Sequence, residues 1–273
     1  MRSISIIGAG AVGSSIALAL FKSGIKPVAI FSENGKSSAL LAKKIKAKQF
    51  GSANQIALLS DIIFISVPDD RISDVVENIS NIPGSLRGKT FIHTSGALTS
   101  DELSALAKRG ASIGSMHPLQ TFAKKGNRTS LKNVWCAVEG DLTAVNVAKS
   151  LARTMGAKYF PVAKKNKSMY HIAAVFASNY QVTLFSVVEQ LALEIGIPKH
   201  QVWKIFRPLV TQTLQNVITS SAAEALTGPI ARGDYRTITK HLKELETSRT
   251  MEHLIPLYST LGIETAKLAK RKK

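Results

Sequence analysis

The sequence predicts an α/β domain built on a parallel sheet, followed by an all-α domain. Three observations carry this. An apolar run, Ile4-Ser5-Ile6-Ile7, ends in Gly8-Ala9-Gly10-Ala11-Val12-Gly13 and passes straight into a helix of small and apolar residues. Short apolar runs then alternate with helical segments up to about residue 163, the pattern of a parallel sheet covered by helices. From residue 164 onward strand signals vanish and long helical stretches follow one another. The expected domains are therefore 1–163 and 164–273.

Each glycine of the first turn has a physical task. Gly8 permits the tight turn off the strand, Gly10 leaves the backbone open to a pyrophosphate, and Gly13 lets helix and strand approach closely. The helix N-terminus adds unpaired N–H groups and a partial positive charge. In this strand and helix setting the segment reads as a Rossmann dinucleotide-binding unit. It does not read as a secretory leader, because three glycines interrupt the apolar run and no cleavage site follows.

Residues 27–31 form the second expected strand, and residues 58–69 a third that is apolar on both faces, as in a doubly covered sheet. Further strands are expected at 90–94, 112–117, 134–138 and 157–162, with a helix at 72–79. The second half offers helices at 167–195, 199–216, 235–247 and 251–270. Residues 172–185 are apolar nearly all round, which predicts a helix buried on most faces. Such helices also suggest a homodimer joined through the second domain.

Composition narrows the setting. No run of about 18 uninterrupted apolar residues is present, so no membrane span is expected. The single cysteine, Cys136, excludes an internal disulfide, fits a reducing cytoplasm, and reads as a core filler. The net charge of +18 includes Lys267, Lys270, Arg271, Lys272 and Lys273 at the C-terminus. It also includes Lys43, Lys44, Lys46 and Lys48, expected on one exposed helix. No aromatic-interleaved motif accompanies this charge, so it reads as a solvated surface and not a specific nucleic-acid site. It would draw an anionic cofactor and substrate.

The cofactor choice rests on the end of the second strand. An acid there holds the ribose 2′-OH of NAD, whereas basic and small polar residues admit the 2′-phosphate of NADP. Ser32, Lys36, Ser37 and Ser38 favour NADP, while Glu33 favours NAD, so the reading leans to NADP with NAD open. Val67 and Pro68 close the following strand and should pass beside the dinucleotide. Asp69 and Asp70 read as capping or solvated residues.

His93-Thr94-Ser95-Gly96 and Ser115-Met116-His117 stand at the C-terminal ends of sheet strands, the edge where open α/β sheets bind ligands. Ser95, Gly96 and His117 are candidate substrate ligands, and His93 reads as structural. Lys167, His171 and Ser178 fall on one stripe of the long helix with Asn179 at its edge. A carbonyl accepting hydride needs a proton donor, for which His171 is the first candidate and Lys167 the second. Thr227 and Arg232 lie in a Gly-Pro and Gly-Asp loop, where Arg232 could reach a carboxylate or only hold Asp234. No metal-ligand spacing occurs.

Several of these segments together resemble a bacterial family with a Rossmann-like N-terminal domain and a helical C-terminal domain of unassigned function. They are the glycine turn, His93-Thr94-Ser95-Gly96, residues 116–122, Tyr170-His171 with Ala177-Ser178-Asn179, and residues 226–234. The architecture is similar to pyrroline-5-carboxylate reductases, prephenate dehydrogenases and β-hydroxyacid dehydrogenases. The second half resembles the C-terminal domain of 6-phosphogluconate dehydrogenase. The resemblance implies an NAD(P)-dependent oxidoreductase and names no substrate. β-Hydroxyacid dehydrogenases carry a catalytic lysine that Lys167 matches, but Tyr170 and His171 depart from the residues that follow it there. Members of the bacterial family often carry an arginine where this chain has Glu33.

The expectation is hydride transfer to or from a small carboxylate-bearing molecule in a cleft between the domains. The alternative is a dinucleotide-binding sensor or regulatory protein without catalysis.

Overall fold

The computed structural model describes residues 2–122 and 130–271, and Lys272 and Lys273 of the basic tail lie outside them. The chain divides into two compact units, residues 1–180 and 181–273. The sheet ends near the expected boundary at 163, but the first unit continues through the next helix to Tyr180.

Among the described residues, the first unit holds eight strands. They are β1 (Ile4–Ile7), β2 (Ala29–Phe31), β3 (Lys48–Gln49), β4 (Ile62–Ile65), β5 (Thr90–His93), β6 (Ser112–Pro118), β7 (Trp135–Gly140) and β8 (Lys158–Pro161). Their order is β3-β2-β1-β4-β5-β6-β7-β8. All pairs are parallel except β6 with β7. A parallel return needs a crossover, usually a helix, and the described residues between β6 and β7 contain none. The strand order reverses between β1 and β4, and ligands of open α/β sheets bind at such a switch point.

Helices α1 (Ala11–Lys22), α2 (Gly35–Ile45), α3 (Ala53–Leu59), α4 (Ile72–Ser80), α5 (Ser104–Ala107) and α6 (Leu142–Thr154) cover the sheet. Alternation along the strands sorts the core by face. Ile6, Phe64, Ile92 and Met116 pack with residues of α1 and α6. Ile7, Ile63, Ile65 and Phe91 pack with residues of α3, α4 and α5. Cys136 is fully buried in the first of these cores, and burial pushes its thiol up to about 12, as suits a core filler.

Three expectations need correction. The strand expected at 58–69 is only Ile62–Ile65, because Leu58 and Leu59 end α3, whose Ser52 cap starts a helix the apolar run concealed. Lys43 and Lys44 are on α2, but Lys46 turns out of it in a left-handed conformation and Lys48 lies in β3. All four remain exposed. Residues 167–195 form two helices, α7 (Lys167–Ala177) and α8 (Asn179–Glu194), with Ser178 between them. They are not buried on most faces: Ile172, Phe176, Tyr180 and Val182 are 46%, 61%, 49% and 66% exposed.

The second unit continues from α8 with α9 (Lys199–Thr219), α10 (Ala222–Ala225), α11 (Pro229–Arg232), α12 (Tyr235–Thr247) and α13 (Ile255–Lys270). Its helices carry many exposed apolar side chains, among them Leu209, Leu214, Ile218 and Ile263. By length and composition alone the 31-residue stretch Lys164–Glu194 could cross a membrane. A single stretch of this kind is weak evidence, and this one is broken at Ser178 and anchored to the sheet by buried Lys167.

Candidate dinucleotide and substrate site

The glycine turn lies at the switch point. Gly8 has φ +101°, and a Cβ there would meet the Ser66 carbonyl oxygen at 2.1 Å, so only glycine lets β1 turn beside the end of β4. A Cβ on Gly13 would lie 2.0 Å from the Gly8 carbonyl oxygen. Gly10 differs. Nothing stands within 4 Å of its added Cβ, and Gly10 and Ala11 are exposed. No side chain caps α1. The turn is therefore tight where it packs and open where an anion would approach, which fits a pyrophosphate on the helix N-terminus. Ala9 is buried, Val12 half-buried, and the chain leaves β4 through Val67 and exposed Pro68.

At the end of β2, Ser32 is half-buried while Glu33 and Lys36 are exposed. Glu33 accepts a 2.8 Å hydrogen bond from Arg71. Ser38 is not open to a phosphate: it is buried, donates to the Gly35 carbonyl and accepts from Gln49.

Across β5, β6 and β7 the register aligns His93, Ser115 and Glu139 in one row. Lys167, at the start of α7, sits on that row. Its Nζ donates to Ser115 and lies 3.7 Å from Glu139 Oε2, both charged side chains being buried. Glu139 also accepts from the Ser100 amide at 2.8 Å and hydroxyl at 2.6 Å. Burial pushes the Lys167 ammonium down to about 8, against the pull of Glu139. His93 accepts from the Ser95 amide on Nδ1, leaving Nε2–H for the Thr99 carbonyl at 3.0 Å. Burial, helped by Lys167, holds it down to about 4. It is structural, as expected.

Ser95 is more occupied than a substrate ligand should be. Its hydroxyl donates to Asp69 at 2.7 Å and accepts from the Ala97 and Leu98 amides. Asp69 thus fastens the β4 turn to the β5 turn, a role its place after Pro68 did not disclose.

One turn beyond Lys167, Tyr170 and His171 reach an open pocket of about 810 Å³ at the end of the sheet. His117, Phe122, Phe160, Ser178 and Asn179 also line it. Tyr170 Oη and His117 Nδ1 are 2.7 Å apart. Burial pushes His117 down to about 4, assisted by the His171 and Lys167 charges, and pushes Tyr170 up to about 12. Both are therefore neutral near pH 7. The His117 and His171 rings meet edge to face at 6.1 Å. Both crowd Gly96, whose added Cβ would lie 2.6 Å from His171 and 2.9 Å from His117. Gly96 is the surface on which the two histidines converge.

Of the stripe expected on the long helix, His171, Ser178 and Asn179 line the pocket, whereas Lys167 is turned into the sheet. Thr227 and Arg232 belong to the second unit and are exposed, with Arg232 ending α11 beside the Asp234 cap of α12. Sequence reasoning missed Tyr170 as a site residue. A polar aromatic beside His171 on an apolar helix was the available signal. Among the described residues no cluster of potential metal ligands occurs.

Comparison with known proteins agrees with this architecture. Residues 1–118 match the Rossmann-like domain, and residues 134–265 match a domain of unknown function, DUF2520. A search of curated proteins finds no match. Among solved structures, the chain is similar to a candidate NADP oxidoreductase from Bacteroides fragilis, with TM-score 0.80, 22% identity, and 97% and 98% of the two chains covered. It is similar to a reductive aminase from Aspergillus terreus in complex with NADPH and ethyl levulinate, with TM-score 0.73, 15% identity and 100% of both chains covered. A pyrroline-5-carboxylate reductase from Coxiella burnetii gives TM-score 0.60 and 15% identity over 100% and 98% of the chains. The chain therefore combines a Rossmann-like domain with a DUF2520 domain, in the fold these structures share.

Proposed function

We propose that this chain is a cytoplasmic NAD(P)-dependent oxidoreductase acting on a carbonyl or imine carbon of a small, carboxylate-bearing molecule. One observation carries the reading: the open Gly10 turn and the His117–Tyr170–His171 pocket stand on the same C-terminal edge of the parallel strands. A bound dinucleotide would lie on the Gly8–Gly13 turn, beside Val67 and Pro68, and supply or take the hydride. The reductive aminase that shares the fold holds NADPH, which supports the preference for NADP, with NAD open.

The chain's own task is then to hold the substrate and move one proton. His117 is neutral near pH 7, and with Tyr170 donating to its Nδ1 it presents Nε2–H as a hydrogen-bond donor. Tyr170 is committed to that contact, which leaves His171 as the proton donor or acceptor on the pocket wall. Lys167 supports the helix from beneath. Ser178 and Asn179, on the same pocket wall, orient substrate.

The test is oxidation of NADPH with a panel of small keto acids and cyclic imines. Replacement of His171 by glutamine should lower kcat on the order of 10²- to 10⁴-fold. Full turnover in that variant would remove His171 from the mechanism, and tight nucleotide binding with no turnover on any carbonyl would favour a sensor. The exposed apolar helices of the second unit support a homodimer, since soluble monomers rarely leave such surface uncovered.

A further inference from the structure

We propose that Arg71 sets the nucleotide preference of this chain, by supplying the guanidinium that receives an adenosine 2′-phosphate. The inference rests on the dinucleotide reading above. It starts from a conflict at the end of β2. The residue there faces the ribose hydroxyls, and Glu33 would repel a phosphate dianion. Yet Glu33 does not stand alone. Arg71, from the turn that follows β4 on the other side of the switch point, reaches it with one terminal nitrogen at 2.8 Å. Its other terminal nitrogen lies 3.2 Å from Asp74 on α4. The guanidinium is thus held beside the ribose position from a neighbouring loop.

Arg71 and Glu33 are 48% and 74% exposed, so solvent and ligand reach both. An exposed ion pair contributes little to the fold, and its partners are easily exchanged. A phosphate dianion offers a guanidinium fork two charged acceptors where Glu33 offers one oxygen. Phosphate binding would release the exposed Glu33 carboxylate, while Asp74 keeps the guanidinium in place. The other donors are weaker candidates. Ser38 is buried and already paired, and Lys36 brings a point charge without the fork.

The experiment is a fluorescence titration of the full chain with NADPH and NADH in parallel. Displacement by 2′,5′-ADP against 5′-AMP serves as a second readout that needs no catalysis. Wild type should bind NADPH more tightly than NADH. Arg71→Ala should weaken NADPH and 2′,5′-ADP by about tenfold or more while NADH changes little. Arg71→Lys should recover only part of the loss, and Glu33→Gln should tighten NADPH, with the melting temperature of each variant close to wild type. An unchanged NADPH-to-NADH ratio in Arg71→Ala, with wild type binding normally, would overturn the role of Arg71 and leave the dinucleotide site standing. Wild type binding neither nucleotide would overturn both.

Discussion

The sheet unit and the helical unit handle their side chains in opposite ways. In the first, Ile6, Ile63, Phe64 and Phe91 are fully buried, and so are Lys167, Glu139 and His93, each with a named partner. In the second, α8 and α9 each bury a single residue, Ala192 and Val202, while Leu209, Leu214 and Ile218 are 66%, 60% and 68% exposed. The sheet unit closes its core within one chain. The helical unit leaves apolar area exposed, the area the homodimer proposal assigns to a second copy. The contrast teaches where each kind of substitution should register: as lost stability in the sheet unit, and as lost association in the helical one.

The largest effect should follow removal of one partner from the buried ion pair. Lys167→Met leaves Glu139 buried without its cationic partner, and should cost about 3–5 kcal/mol in denaturant unfolding. A cost below about 1 kcal/mol would mean that water reaches the pair.

Acid should act next, on the same unit. His93 is held near 4 in the fold against 6.5 when free, so the native state resists its protonation. Its stabilising contribution is complete above pH 6.5 and is lost as pH falls towards 4. The loss is about 2 kcal/mol by pH 5, by linkage arithmetic. His117 shifts in the same direction and adds to it. Melting temperatures that stay flat from pH 7 to pH 5 would contradict this account.

A smaller difference should separate two glycines of one turn. Gly13→Ala drives a Cβ into the Gly8 carbonyl and should cost about 1–3 kcal/mol. Gly10→Ala meets open space and should leave the melting temperature near wild type. The smallest effect on folding belongs to the helical face. Leu209→Ser should change unfolding by under about 0.5 kcal/mol per chain yet lower the mass measured by light scattering. A wild-type monomer would end the dimer proposal.

The legibility of these features follows the same division. The glycine turn could be read from sequence because its constraints are local: a strand, a φ only glycine tolerates, and a helix start within ten residues. The expected strands at 90–94 and 112–117 held for the same reason, as short apolar runs closed by turns. Leu58 and Leu59 misled because an apolar pair reads as the start of a strand, whereas here it ends α3 with both side chains exposed. The antiparallel β7 and the row His93–Ser115–Glu139 could not be read, since both depend on which strands become neighbours. The same holds for Arg71, whose meaning comes from Glu33, far away in the chain. The exposed face of α7 and α8 could not be read, because apolar composition alone does not distinguish a helix packed within its own chain from one left exposed by it.

The most direct test of the central claim is a fluorescence titration with NADPH at moderate salt, on wild type and on Gly10→Val. The account predicts saturable binding by wild type, and its loss in the variant with the melting temperature preserved, because the added side chain fills the space a pyrophosphate needs. Equal binding by both proteins, or none by wild type, would contradict a dinucleotide site at this turn.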